Sequence, residues 1–302
     1  MARPTIVLAG AAGDLGARIC KALLARGAAV RALARVGVSA ADRDRLAGTG
    51  ATIAPVDASD TGSVAAACVV SALNGLHDVI VERQGVLLDA AVEAGVPRFI
   101  PSDYSADFTR TRPGENRNLN LRRGFMARAD RAPIKVTSIL NGAFMDMLGA
   151  EMPIIQPRIR RVLHWGDADQ PLDFTTKDDV AAYTAAAALD EAAPRILRIA
   201  GDTVSARGIA QAMSEVTGER YRTLWAGGIG SLSVLIRLAK IVAPQPRAAF
   251  PPWQGMQYMR DMFSGRGKLH PLDNDRYPGL RWISVREQLA VRLASASRER
   301  TG

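Results

Sequence analysis

Gly10-Ala11-Ala12-Gly13-Asp14-Leu15-Gly16 follows directly on the apolar run Thr5-Ile6-Val7-Leu8-Ala9 and opens a segment with Leu15, Ile19 and Leu23 at helical spacing. Three glycines at this spacing, set between a strand and a helix, make a tight turn, let the backbone approach a pyrophosphate and bring the helix close to the strand. The helix N-terminus then presents unpaired N–H groups and a positive dipole end to the phosphates. Gly10, Ala12, Gly13, Asp14, Leu15 and Gly16 are therefore expected to hold a dinucleotide.

Strands and helices alternate onward from this turn. Strands are expected over 5–9, 29–34, 52–56, 68–72, 98–101 and 135–140, and helices over 15–26, 40–47, 61–67, 84–94 and 121–131. A β-α-β rhythm of this kind builds a parallel sheet covered by helices on both faces. Later the rhythm loosens. A short helix over 144–148, an irregular stretch over 152–157 and a small strand over 161–164 precede a clear helix over 176–189, opened by Thr175 or Thr176 and the acids Asp178 and Asp179. A strand over 195–200 could return to the main sheet, and helices follow over 206–216, 231–242, 253–263 and 285–295. The expected fold class is α/β: a Rossmann-type doubly wound parallel sheet with a smaller, intergrown C-terminal substrate lobe. Residues 1–150, completed by about 176–200, form the first part, and 151–175 with 201–302 the second.

The end of the second strand selects the dinucleotide. A binder of NAD places an acid there to hold the ribose hydroxyls. Here the strand ends Arg31-Ala32-Leu33-Ala34-Arg35, with no acid before Asp42. Arg35 can pair bidentately with a 2′-phosphate, so NADP(H) is expected rather than NAD(H); a solvated arginine is the alternative. Asp57, ending the third strand, is placed either for the adenine amino group or as a turn cap. Ser71, Ala72 and Leu73 should line the cofactor, because ligands sit beyond the carboxyl ends of the strands.

Composition narrows the function classes. Formal net charge is +9, yet only five of the 39 basic residues are lysines, and the arginines are scattered without interleaved aromatics. That argues against nucleic acid as a partner. Cys20, Cys68 and three separated histidines give no metal-ligand spacing. The best apolar stretch, 227–244, is interrupted by Arg237 and Lys240 and reads as an amphipathic helix, so no membrane span is expected. The run 5–13 lacks a signal-type cleavage site, which points to a cytoplasmic location. A homodimer is compatible with the sequence but not argued by it.

Several blocks carry a family resemblance: Gly10 to Gly16, Arg35, Ala90-Ala-Val-Glu-Ala-Gly95-Val-Pro-Arg-Phe-Ile-Pro101-Ser102-Asp103, Gly142-Ala-Phe144-Met-Asp146, Gly166-Asp167, and Asp173-Phe-Thr-Thr-Lys-Asp178-Asp179-Val-Ala. Over roughly residues 4–220 the chain resembles the NmrA-like, isoflavone-reductase-like branch of the atypical short-chain dehydrogenases. The resemblance implies an NADP-binding Rossmann domain and a smaller substrate lobe. It also implies one of two activities: reduction of aromatic, quinone or phenylpropanoid-type substrates, or regulation by a protein that binds the nucleotide without turning it over.

The usual catalytic residues do not carry over. None of the five tyrosines has a lysine four positions on. The lysine that isoflavone-reductase-like members place before a paired-arginine helix is also absent, since Asn116-Arg-Asn118-Leu-Asn120-Leu-Arg122-Arg123 occupies that stretch. Reducing a carbonyl still requires a proton donor within hydrogen-bond reach. Asp103, Tyr104 and Asn118 are the candidates, with Arg122 or Arg123 as the cation that would activate Tyr104. Ser102, Asn141 and Gly142 should border the nicotinamide. Tyr104, Phe144, Trp253 and Met256 are candidates to line a pocket for a small apolar or aromatic carbonyl, quinone or enone. Each of these has a plainer reading as a cap, a turn residue or helix packing.

Overall fold

A computed structural model describes residues 3–35, 44, 46–56, 64–148 and 152–301. Its centre is a parallel sheet whose first strands are β1 (Thr5–Ala9), β2 (Ala29–Arg35), β3 (Thr52–Val56), β4 (Cys68–Ser71), β5 (Arg98–Ile100) and β6 (Lys135–Val136). Their order is β3-β2-β1-β4-β5-β6, and every neighbouring pair is parallel. The chain thus starts in the middle, winds outward to one edge, then returns and winds to the other. The order reverses between β1 and β4, and that reversal opens the crevice in which doubly wound sheets bind ligands.

The alternation of strand side chains divides the core. Ile6 and Leu8 point to one face, where α1 (Asp14–Ala25) and α4 (Lys177–Leu189) bring Ile19, Leu23, Val180 and Tyr183. Val7 and Val69 point to the other, where α2 (Gln84–Glu93) and α3 (Arg117–Ala129) bring Leu87, Leu88 and Phe125. Being buried on both faces is why β1 and β4 read as unbroken apolar runs. α3 is capped by Asn116, whose side chain accepts from Leu119 N, and α4 by Thr176, which accepts from Asp179 N with Asp178 and Asp179 in the first turn.

The expected single strand over 135–140 is two. β6 ends at Val136, and β7 (Ser138–Leu140) pairs in parallel with β12 (Ile196–Arg198). Thr137 N still bonds to Phe99 O, whereas Ser138 N bonds to Arg195 O. The strand changes partner within two residues, and the later segment, expected as a strand returning to the main sheet, pairs with β7 in a two-stranded sheet of its own.

Beyond β7 a second core forms around Met145, Ile154, Val162, Phe174, Ile209, Met213 and Phe263. It is built on small sheets: β9 (Ile155–Gln156) with β10 (Arg161–His164) and β14 (Arg222–Trp225), and β8 (Ala143–Phe144) with β11 (Leu172–Thr175) and β13 (Asp202–Val204). Helices α5 (Ala206–Thr217), α6 (Ile229–Val242), α7 (Pro252–Phe263) and α8 (Val285–Thr301) pack around them. The helix expected over 144–148 is instead a short strand, Ala143–Phe144, followed by a single 3-10 turn, Met145–Met147. Phe144 is drawn into β pairing with Thr175. The helix expected over 40–47 lies largely outside the described residues; of that expected over 61–67, residues 64–67 are described and form no α-helix, running as an irregular stretch into β4.

Candidate active site

The glycine turn has the geometry its spacing demands. Gly10 has φ +82°, and a Cβ there would stand 2.6 Å from the Ala72 carbonyl oxygen. A Cβ on Gly16 would stand 2.0 Å from Gly10 O. Neither position admits a side chain, because backbone lies on the other side. Ala17 N, bonded to Gly13 O at 2.8 Å, is the first helical donor of α1. The amides of Asp14, Leu15 and Gly16 therefore point out of the helix end without an intrahelical acceptor.

From this helix end a cavity of about 400 Å³ runs over the carboxyl ends of β1, β4 and β5 toward the second core. Gly13, Asp14, Leu15, Ala72, Leu73, Asn74 and Ser102 border its first half. Tyr104, Ser105, Arg122, Gly142 and Phe144 border its far half, together with an apolar and aromatic group, Met147, Met152, Phe250, Tyr258 and Met262. Ser102 is fixed in place: its N–H donates to Gln84 Oε1 at 2.9 Å and its hydroxyl to Leu73 O at 2.6 Å. Gly142, at φ +70°, could not carry a Cβ, which would stand 2.3 Å from Asp173 O.

An ion-pair cluster spans the two halves. Lys177 Nζ lies 2.8 Å from Asp14 and 2.8 Å from Asp146, and Arg18 holds the other Asp14 oxygen at 2.8 Å. Hydrogen bonds from Lys177 and Arg18 hold the Asp14 carboxyl below its ordinary range. Burial works against the Lys177 charge, but its bonds to Asp14 and Asp146 outweigh it and raise the ammonium pKa. Nothing in the residue spacing pointed to Lys177, because it reaches the glycine turn from the start of α4, which is distant in sequence and packs beside α1 on the same face of the sheet.

The predicted site residues divide into those at the cavity and those away from it. Gly13, Asp14, Leu15, Ala72, Leu73, Ser102, Tyr104, Gly142 and Phe144 border the cavity. Ala12 borders a neighbouring groove beside α1 and α4. Ser71 and Asn141 are fully buried beneath it. Asp57 and the Arg35 side chain lie outside the described residues.

Asp103 is absent from the cavity wall and fully buried. Its carboxylate accepts from Ser138 Oγ at 2.6 Å, and burial pushes its pKa up to about 6. Tyr104 borders the cavity, but its hydroxyl is sunk in the core beside Thr184, where burial raises its pKa. Asn118 is engaged by its neighbours, its oxygen accepting from Arg117 Nε at 3.0 Å and its nitrogen donating to Ala249 O at 3.0 Å. Trp253 is turned inward, with Nε1 donating to Pro244 O at 2.9 Å and Arg117 and Lys240 over its ring at 4.6 and 5.0 Å. Met256 packs on the second core.

From α7 it is Tyr258 and Met262, five residues beyond Trp253 and six beyond Met256, that reach the cavity. The helical spacing located the right helix but not the face it turns inward. Burial raises the Tyr258 phenol, against the opposing influence of the Arg122 guanidinium and of Asn118 beside it.

The model of the NmrA-like family matches residues 2–226. The chain belongs to that family. The match bears out the resemblance carried by the glycine turn and the later blocks, over almost the same span. Among curated relatives of this NmrA-like chain, pinoresinol reductase 1 of Arabidopsis thaliana is 28% identical over 201 residues, 60% of this chain and 63% of that protein. Pinoresinol reductase 2 of the same plant is 30% identical over 205 residues, with coverage again 60% and 63%. The alignment therefore spans less than two thirds of the length of these relatives.

The solved structure of AtPrR2 with NADP+ and (+)pinoresinol superposes with a TM-score of 0.79 at 21% identity, covering 96% of this chain and 99% of that one. The leucoanthocyanidin reductase–NADPH complex from Vitis vinifera gives 0.77 at 18% identity, with 96% and 99% covered. These likenesses establish the Rossmann-type fold of the whole chain. Among the described residues no helix is long and apolar enough to cross a membrane, and no group of His, Cys, Asp and Glu could hold a metal ion.

Proposed function

We propose that this NmrA-like chain is an NADPH-dependent reductase of a small apolar or aromatic carbonyl, quinone or enone. One observation carries the reading: a single cavity leads from the glycine turn at the α1 N-terminus to an end walled by Phe144, Met147, Met152, Phe250, Tyr258 and Met262. The turn fits the dinucleotide, since a Cβ at Gly10 or Gly16 would collide with backbone and the α1 amides point outward. The relatives named as pinoresinol reductases and the neighbours solved with NADP+ or NADPH support the same cofactor and an aromatic substrate.

In this reading the amides of Asp14, Leu15 and Gly16 would hold the pyrophosphate, Gly13 N–H being spent on Gly10 O at 3.0 Å, and Arg35 would take the 2′-phosphate. Ala72, Leu73, Ser102 and Gly142 would border the ribose and nicotinamide. The cofactor supplies a hydride. Phe144, Met147, Met152 and Met262 would exclude water and pack against an apolar or aromatic substrate.

The proton comes from Tyr258, the phenol that borders the cavity beside Arg122 and Asn118. Ionisation of that phenol as it gives up its proton is favoured by the nearby guanidinium. Asn118, in the stretch where the family lysine is absent, acts on Tyr258 rather than on the substrate.

A second reading, an NADP(H)-binding regulator without turnover, draws on that missing lysine. Steady NADPH oxidation with a member of a carbonyl and quinone panel supports the reductase. Tight NADPH binding with no turnover across the panel supports the regulator.

A further inference from the structure

Among the described residues Arg98, Arg122 and Arg260 are buried, and Arg122 is the exception in having neither a close acceptor nor a carboxylate: Arg260 donates to Glu115 O at 2.9 Å and lies 3.4 Å from Asp261 Oδ1. Arg98 donates to the carbonyls of Ala187 and Ala188 at 2.6 and 3.1 Å. Arg123, next in sequence to the exception, donates to Phe108 O, to Thr111 O at 2.8 Å and to Asn120 Oδ1 at 2.8 Å. The ammonium of Lys177, which also borders the cavity, is taken by Asp14 and Asp146.

Arg122 differs. It is 6% exposed and borders the cavity, where its charge acts on the Tyr258 phenol. Among the described residues its one hydrogen bond is long, 3.3 Å from Nη1 to Asn118 O, and its Nε is buried without a partner. No carboxylate pairs with it among the described residues; Asp103, on whose carboxyl the Arg122 charge acts through space, accepts instead from Ser138 Oγ at 2.6 Å. Arginine stays charged at any pH of interest. A cation removed from water without a counter-charge is costly, and an anionic ligand that replaces the lost solvation recovers that cost.

We infer that the substrate carries an anionic oxygen that pairs with Arg122, and that the substrate class is an aromatic or conjugated carboxylic acid. The inference rests on the proposed reading of the cavity as a substrate pocket. The planar guanidinium matches a carboxylate edge-on, and the ring or conjugated chain behind that carboxylate is met by Phe144, Met147, Met152 and Met262. Tyr258 stands on the same wall, close enough to the guanidinium for its phenol to feel the charge. An acid anchored on Arg122 is thereby oriented for a proton from Tyr258.

The test is a calorimetric titration of cinnamate and of its neutral isostere cinnamamide into the full chain, with and without NADPH. Cinnamate is expected to bind about tenfold or more tighter than the amide, the range of a charge-assisted hydrogen bond. Arg122→Gln is expected to abolish that preference, and Arg122→Lys to keep part of it. NADPH affinity should be unchanged in both variants.

Equal binding of acid and amide by the parent chain overturns the inference, as does failure of cinnamate to bind at all or a preference that survives in Arg122→Gln. The parent comparison stands even if a variant does not fold. Failure of NADPH to bind strikes the reductase reading instead, and the titration without NADPH still decides the question of the acid.

Discussion

Gly16 lies so close under Gly10 that a Cβ on the first would stand 2.0 Å from the carbonyl oxygen of the second. The contact is backbone to backbone and neither side can yield without opening the turn. Gly16→Ala is expected to lose about 1–3 kcal/mol of stability, as overpacking does, and to weaken NADPH binding by tenfold or more because the α1 amides are displaced. Chemical denaturation and calorimetry on the same preparation would check both. Unchanged NADPH affinity would mean that the amides of this turn do not hold the pyrophosphate.

Arg35 ends β2, where a dinucleotide-binding sheet meets the adenosine ribose. Arg35→Asp is expected to weaken NADPH far more than NADH, since an acid there repels a 2′-phosphate yet can accept from a 2′-hydroxyl. Competition binding of the two nucleotides gives the ratio; equal losses would remove arginine from the role of selector.

Tyr258→Phe keeps the ring that borders the cavity and removes the proton. Turnover is expected to fall about 10²–10⁴-fold, the usual contribution of a positioned general acid, with little change in NADPH affinity. A variant that retains full turnover would return the search to other donors on the cavity wall.

Asp107 is fully buried, and its Oδ2 accepts from Arg198 Nε at 2.7 Å, tying the loop after β5 to β12. Arg198→Met leaves that carboxylate without its cation and is expected to cost about 3–5 kcal/mol in denaturant unfolding. A loss below 1 kcal/mol would mean that Thr109, which donates to the other oxygen through its N–H and hydroxyl, suffices alone.

Asp103 gives a pH signature. Burial raises its folded-state pKa to about 6, above its value of 3.8 in the unfolded chain. The folded state holds the proton longer, so stability falls as pH rises from 3.8 toward 6, and the penalty is then constant. Asp103→Asn removes an ionisation worth at most roughly 3 kcal/mol. The variant's thermal midpoint is expected to gain on the parent's between pH 4 and pH 7. A difference that does not move over that interval would show that the carboxyl titrates normally.

The sheet was legible because β1, β4 and the glycine turn each carry a local signal: an apolar run, and three glycines whose spacing has a steric cause. The change of partner at Thr137 carries none, since nothing in Lys135 to Leu140 distinguishes residues facing β5 from those facing β12. At the site, topology alone was enough to put residues adjacent to strand ends, Ala72, Leu73, Ser102 and Gly142, on the wall of the cavity. Residues that arrive from distant elements were harder to place. Trp253 and Met256 lie on the correct helix, yet Tyr258 and Met262 turn to the cavity, because the rotation of α7 is set by the second core and by the cations over Trp253. Lys177 reaches the glycine turn only once α4 has packed against α1.

The central claim is that the α1 N-terminus and its glycine turn hold a phosphorylated pyridine dinucleotide. Calorimetric titration of the unmodified chain with NADPH and with NADH tests it most directly. One-to-one binding of NADPH, tenfold or more tighter than NADH, is the expected result; no binding heat from either nucleotide, or a preference for NADH, would contradict it.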